Sequence, residues 1–170
     1  MNGDCINPSE IRKAIQLLKD PGELFEIRIV SGNKKQLLSG YFTDVDVLLK
    51  QLGSQGLRDK NVYISLNRID RALYSRTQHD RFVLGPTTTS DHNVTDYEWF
   101  FVDLDPIRIA DVSSTDEELA QAEKSMYAVA DYLADIGFKK PVVALRGNGY
   151  HLLYKVNLPN VQANENIVIT

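Results

Sequence analysis

A Gly-Asn-Gly triplet at 147–149 separates two apolar runs, PVVALR (141–146) and YHLLYKV (150–156). Glycine enters tight-turn backbone conformations without a steric penalty, and a short turn of this kind joins antiparallel strands. The pattern predicts a β-hairpin over 141–156. Upstream lies EWFFVDLDP (98–106), in which Trp99 to Val102 read as a buried strand and Pro106 stops it. Between them, SSTDEEL (113–119) sets Ser/Thr ahead of acids, a helix-start signature that suits the positive end of the helix dipole. Ala122, Met126, Val129, Ala130 and Leu133 give that helix an apolar stripe, and Gly137 ends it. Strand, helix and hairpin make a β-α-β-β order, which lacks only the last helix and strand of a β-α-β-β-α-β unit. NIVIT at the end reads as the start of a cut helix, so the expectation is an N-terminal fragment of a longer protein.

The first half is also mixed. Asn7-Pro8-Ser9 opens a helix with Ile11, Ala14, Ile15 and Leu18 on one face, ended by Pro21-Gly22. LFEIRIV (24–30) alternates as a half-buried strand, and QLLSGYF (36–42) returns as its hairpin partner. A short helix follows around Asp44 to Leu52, then a strand VYISLNRI (62–69). Residues 70–96 are the least regular stretch, and a loop of that length in a compact domain is usually functional or disordered. The fold expected is α/β (α+β): an N-terminal α/β unit over 1–96 and a truncated RRM-like half over 97–170, together one composite domain.

Composition excludes several classes. With 43% hydrophobic and 25% charged residues the chain is ordinary soluble material, and no apolar run approaches the ~20 residues of a membrane span. Cys5 is alone, so no disulfide framework or cysteine metal cluster forms, and a cytoplasmic setting fits. A net charge of -4 argues against a protein basic all over. The charge is uneven, however. Gln55 to Phe82 holds Arg58, Lys60, Arg68, Arg71, Arg76 and Arg81 against three acids, while Asp103 to Asp135 holds nine acids against Arg108 and Lys124.

Three features carry chemistry. A strand alternates faces, so Asp103 and Asp105 point the same way. Two carboxylates buried together repel, and a divalent cation removes the repulsion; equally, a strand end can simply leave both acids in water. The second feature is RGNGYHLLY (146–154), whose glycines admit a ligand close to the backbone and whose amides can donate to phosphate. A Gly-Asn-Gly hairpin can also be only a turn, and a lone His in a strand is often a packed or surface residue. The third is TTTSD (87–91), a candidate ligand loop or a plain solvated one. If the Asp strand and the hairpin are sheet neighbours, Asp103, Asp105, His151 and the glycine turn line one pocket. That pocket suits a triphosphate held through Mg2+ or Mn2+, with Arg146 and His151 on the phosphates.

FFVDLDPIR, SSTDEELAQA and VVALRGNGYHLLYKV together resemble the archaeo-eukaryotic primase superfamily, in particular its bacterial and phage mobile-element primase-polymerase branch. The family's hydrophobic-Asp-x-Asp motif is matched by Asp103 and Asp105, and its small-x-His motif by Gly149-Tyr150-His151. A Thr-rich stretch ending in Asp (Thr87 to Asp91) and an Asp-Pro-x-Arg step (Asp105 to Arg108) are also similar. The resemblance spans about residues 60 to 160. It implies a DNA primase or primase-polymerase acting in replication of a phage, plasmid or mobile element. Asp103 and Asp105 would ligate two metals, and His151 would meet the incoming nucleotide's phosphates. Arg146, Gly147, Asn148 and Gly149 would complete the NTP or dNTP site. A DNA template is the implied partner, with Arg76 and Arg81 as candidate contacts, and a helicase or C-terminal domain is a candidate partner of the full-length protein. The family's third carboxylate, on a later strand, has no counterpart before Thr170, and Glu165 stands in the wrong context to replace it. Poor activity of this chain is therefore expected.

Two other classes compete. Asp-x-Asp after a hydrophobic strand also marks haloacid-dehalogenase-like phosphatases and some metal-dependent sugar transferases. In the phosphatases Gly and Thr or Val normally follow, where Pro106-Ile107 stand here. The other alternative is a non-catalytic nucleic-acid-binding module stacking bases on Phe100, Phe101, Tyr150 and Tyr154, against which stands the reading of these rings as core.

Overall fold

A computed structural model describes residues 7–31, 36–58, 60–75, 78–85, 88–107, 112–145 and 148–160. The fold is α+β, with two antiparallel sheets and three α-helices among the described residues. The chain divides into two compact units, Met1–Asp96 with Pro159–Thr170, and Tyr97–Leu158.

The first unit begins with α1 (Pro8–Leu18), whose N-terminus is capped by Asn7 accepting from the Ser9 and Glu10 amides. β1 (Phe25–Ser31) and β2 (Leu37–Phe42) follow as an antiparallel pair, Phe25 opposite Phe42 and Ile29 opposite Leu38. Next comes α2 (Val45–Leu52), capped by Asp44. β3 (Lys60–Ile64) pairs with β1, and the sheet is completed by a two-residue strand described below. Phe25, Ile27 and Ile29 project from one face of β1 onto Ile15, Leu48 and Leu52 of the helices, which is the main core of this unit.

The run VYISLNRI does not form one strand. It breaks at Ser65–Asn67 into β3 and β4 (Arg68–Ile69). The cause is Lys19: its buried ammonium donates to the carbonyls of Leu66 and Asn67 (both 3.2 Å) and to Glu23 Oε1 (2.8 Å), which turns the chain out of the strand. Residues 70–96 are more regular than their composition suggests. They hold 3₁₀ turns at Arg71–Ser75 and Asp91–Asn93 and a short strand, β5 (Val83–Leu84), beside β2. The first sheet therefore runs β3-β1-β2-β5.

β6 (Val94–Leu104) starts five residues before the apolar run at Trp99 because Val94 and Asp96 already pair with Ile69 and Arg68 of β4. Beyond Asp96 it is the first strand of the second unit. There α3 (Asp116–Asp135) leads to β7 (Val142–Leu145) and β8 (Tyr150–Pro159), and β8 inserts between β6 and β7. This is a β-α-β connection split by an antiparallel third strand. The capping box is present: Thr115 Oγ1 accepts from the Glu118 amide (3.2 Å) and Glu118 Oε2 from the Thr115 amide (2.9 Å). At the other end Gly137 adopts φ 100°, and the Phe138 amide returns to Leu133 O at 2.9 Å. Met126 and Leu133 bury against Leu152 and Tyr154, with Val102, Leu104, Val129 and Phe138 packed around them.

Candidate functional site

Packing of the α3 side of the second sheet decides where the polar side chains go. Phe100 touches Phe138 and Tyr154, and Val102 and Leu104 join the same core, so these alternate residues of β6 are committed to the helix. Period-two alternation then leaves Phe101 and Asp103 on the opposite face. His151 of β8 meets both there. Its ring packs edge-on against Phe101, centroids 4.8 Å apart, and its Nε2 lies 3.2 Å from Asp103 Oδ1. That approach is a close contact without hydrogen-bond alignment, because Nε2 is buried and has no aligned partner.

The glycine turn closes on the same strand end. A methyl group at Gly149 would collide with the carbonyl oxygen of Leu104 and lie 2.8 Å from Asp105 Oδ1. Only a residue without Cβ lets the turn lie flush on the Asp-x-Asp segment. The turn is also tied to the approach to α3: Ser114 Oγ donates to the Asn148 carbonyl (2.8 Å), and Asn148 Oδ1 accepts from the Ser114 amide (3.2 Å). Asp103, Asp105, Asn148, Gly149 and His151 thus come together within the second unit.

The acids themselves are not buried. β6 ends at Leu104, so Asp105 stands just past the strand, and the Asp103 side chain keeps 42% of its exposure. Exposure to water limits the like-charge repulsion that a buried pair would suffer. Among the described residues, no set of three ligating side chains within 4.8 Å of one another includes Asp103 or Asp105. Two exposed carboxylates, an orphaned imidazole nitrogen and a cradle closed to any Cβ nevertheless form a donor set of hard oxygens with one nitrogen, which fits Mg2+ or Mn2+.

Other expected site residues fall elsewhere. Arg76, Arg146 and Gly147 lie outside the described residues, as do Thr87, Arg108 and Glu165. Arg81 belongs to the first unit, where it is exposed and its backbone carbonyl packs on Gly40. The Thr-rich loop is bound into the first unit: the Thr89 amide donates to Glu26 Oε2 (3.2 Å), and Thr89 Oγ1 pairs with the Tyr41 hydroxyl (3.0 Å). The four aromatics divide: Tyr154 is core, Tyr150 is half-buried, and Phe100 and Phe101 keep 38% and 44% exposure.

Sequence reasoning missed Glu26. Its carboxylate is buried and accepts from Ser39 Oγ, from Arg28 Nη2 (2.8 Å) and from the Thr89 amide. Burial pushes its pKa up, but these hydrogen bonds and the Arg28 charge outweigh burial and hold it below the usual carboxylate range. The only local signal is a Glu and an Arg two apart in an otherwise apolar strand. Comparison of the chain with family models, curated proteins and solved structures finds no match to any.

Proposed function

We propose that this chain carries the metal and nucleotide site of a DNA primase-polymerase, in which a 3′-hydroxyl attacks the α-phosphate of an NTP or dNTP and pyrophosphate leaves. The second unit is then the RRM-like half of that architecture, and the first its α/β partner. One observation carries the reading. The buried Nε2 of His151, without an aligned hydrogen-bond partner, stands 3.2 Å from Asp103 Oδ1 at a strand end sealed by Gly149. A buried nitrogen in that condition calls for a ligand.

Asp103 and Asp105 would hold Mg2+ or Mn2+ through carboxylate oxygens. Such an ion, when bound, neutralises phosphate oxygens and makes the 3′-hydroxyl easier to deprotonate. His151 contacts the phosphates from β8, its ring angle fixed by Phe101. Asn148 and Gly149 bring backbone close to the ligand, with the turn anchored by Ser114. Arg146 and Gly147, which precede them in the sequence, are assigned to the nucleotide. Arg76 and Arg81 are assigned to the DNA template, and a helicase is the candidate protein partner. Among the described residues no helix is long and apolar enough to cross a membrane.

Calorimetric titration of dATP in the presence of Mn2+ tests the reading. Binding should require the metal and vanish in Asp103→Asn/Asp105→Asn. Phe101, 44% exposed beside His151, favours one other reading, a module that stacks single-stranded nucleic acid. That module would bind oligonucleotide without a divalent ion and lose affinity steeply with salt. Metal-free, salt-sensitive binding that survives the double substitution would replace the enzyme with the module.

A further inference from the structure

β7 (Val142–Leu145) is the outer strand of the second sheet, whose order is β4-β6-β8-β7. Outside its ladder with β8, none of its backbone groups is hydrogen-bonded to a described residue. Alternate residues of an outer strand turn N–H and C=O outward, so this edge is an open template for another strand. Its side chains are open too. Val143 stands opposite Leu152 and Leu145 opposite Tyr150, which places both on the side of the sheet that α3 covers. The helix stops short of them: Val143 keeps 48% of its exposure and Leu145 60%. The patch continues onto α3. Burial, and after it the nearby Glu123 and Tyr127, raise the Tyr150 pKa, so Tyr127 borders the same end of the strand, and it is 58% exposed.

Charge selects the occupant. Residues 97–158 hold ten acids against six bases, yet three of the six, Lys139, Lys140 and Arg146, flank β7 in the sequence. Lys139 and Lys140 are exposed, and neither has an acidic partner among the described residues. A second copy of the chain is disfavoured, because antiparallel pairing of two β7 strands would bring the Lys139–Lys140 flank of one against the Arg146 flank of the other. We propose that the β7 edge takes an extended acidic segment of a partner protein, added to the sheet as a further strand. Backbone hydrogen bonds supply the affinity, alternate apolar side chains of the segment cover Val143 and Leu145, and carboxylates at its ends face the cations that flank β7. His151 stands opposite Ala144 and, with Phe101 and Asp103, lies on the other face of the sheet, so this surface is distinct from the metal site.

The test is fluorescence anisotropy of a labelled peptide, alternating Val and Thr between Asp pairs, titrated with the whole chain in excess EDTA. One control peptide carries Lys in place of each Asp. The other is N-methylated at its Val and Thr amides, which removes the donors of a ladder. The Asp peptide should bind, with the Lys peptide on the order of ten-fold weaker and the methylated peptide not bound. Val143 and Leu145 are exposed, so Val143→Thr/Leu145→Thr should keep the circular dichroism spectrum and weaken the Asp peptide. Lys139→Glu/Lys140→Glu should reverse the preference in favour of the Lys peptide. Failure of the Asp peptide to bind overturns the proposal, as does equal binding of the Lys peptide or of the methylated one. Dimerisation of the chain that Val143→Thr/Leu145→Thr abolishes would overturn it as well, by giving the edge to a second copy. Because EDTA removes the metal, these outcomes are separate from failure of the Asp103–Asp105 site.

Discussion

The two units differ at their most distinctive charged groups. In the first, two buried charges have several partners each. The Lys19 ammonium has a carboxylate and two carbonyls, and the Glu26 carboxylate has three donors. In the second, Asp103 and Asp105 stand exposed at a strand end, and the buried nitrogen of His151 is left without an aligned partner. A buried ion is tolerated only when its hydrogen bonds are complete, so the first arrangement holds the fold. The second arrangement keeps its two acids at the surface, where a ligand can reach them.

The contrast breaks most visibly at Lys19. Lys19→Met leaves the nearly buried Glu23 carboxylate and two carbonyls without their cation, and the loss should reach about 3–5 kcal/mol in urea denaturation. A loss below ~1 kcal/mol would mean the ammonium does not organise the turn at 65–67. Glu26→Gln comes next, at about 2–3 kcal/mol, since three donors lose an ionised acceptor. Its pH dependence has a definite sign. The folded pKa lies below the ordinary 4.5, so the stabilisation is complete above that value and is lost as pH falls through the folded pKa. Thermal melts between pH 6 and pH 3 (roughly the span over which such a carboxyl titrates) should fall for the native chain and less steeply for the Gln variant. Equal slopes would remove Glu26 from the account.

Gly149→Ala sharpens the comparison from the other side. The added methyl meets the Leu104 carbonyl and the Asp105 carboxylate, and should cost about 1–3 kcal/mol while displacing Asp105. It should therefore impair Mn2+ binding more than its stability loss explains. The smallest effect on folding belongs to the acids: Asp103→Asn/Asp105→Asn should shift stability by no more than ~0.5 kcal/mol yet abolish metal binding. A large destabilisation would make the acids structural and erase the difference between the units.

How much of this was legible follows the same division. The second unit reads well from sequence because its determinants are local: the Thr115–Glu118 box, the stripe from Ala122 to Leu133, the Gly137 stop and the glycine turn. Asp103 and His151 meet because sheet order makes β6 and β8 neighbours, a relation the sequence left open. The first unit hides its main features because their partners are far apart in the chain. Glu26 bonds to residues 39 and 89, and Lys19 to residues 66 and 67. Alternation in β1 marks Glu26 as outward-facing, whereas both faces of that strand are covered. For the same reason the partners of Thr89 in TTTSD, Glu26 and Tyr41, are not visible in the local sequence.

The most direct test of the central claim is a Mn2+ titration watched through the imidazole NMR signals of the three histidines. His151 lies beside the acids, while His79 and His92 belong to the first unit and serve as internal references. Paramagnetic broadening should strike His151 first, at low metal, and disappear in Asp103→Asn/Asp105→Asn. Broadening of His79 or His92 ahead of His151, or of His151 unchanged by the double substitution, would contradict a metal site at Asp103 and Asp105.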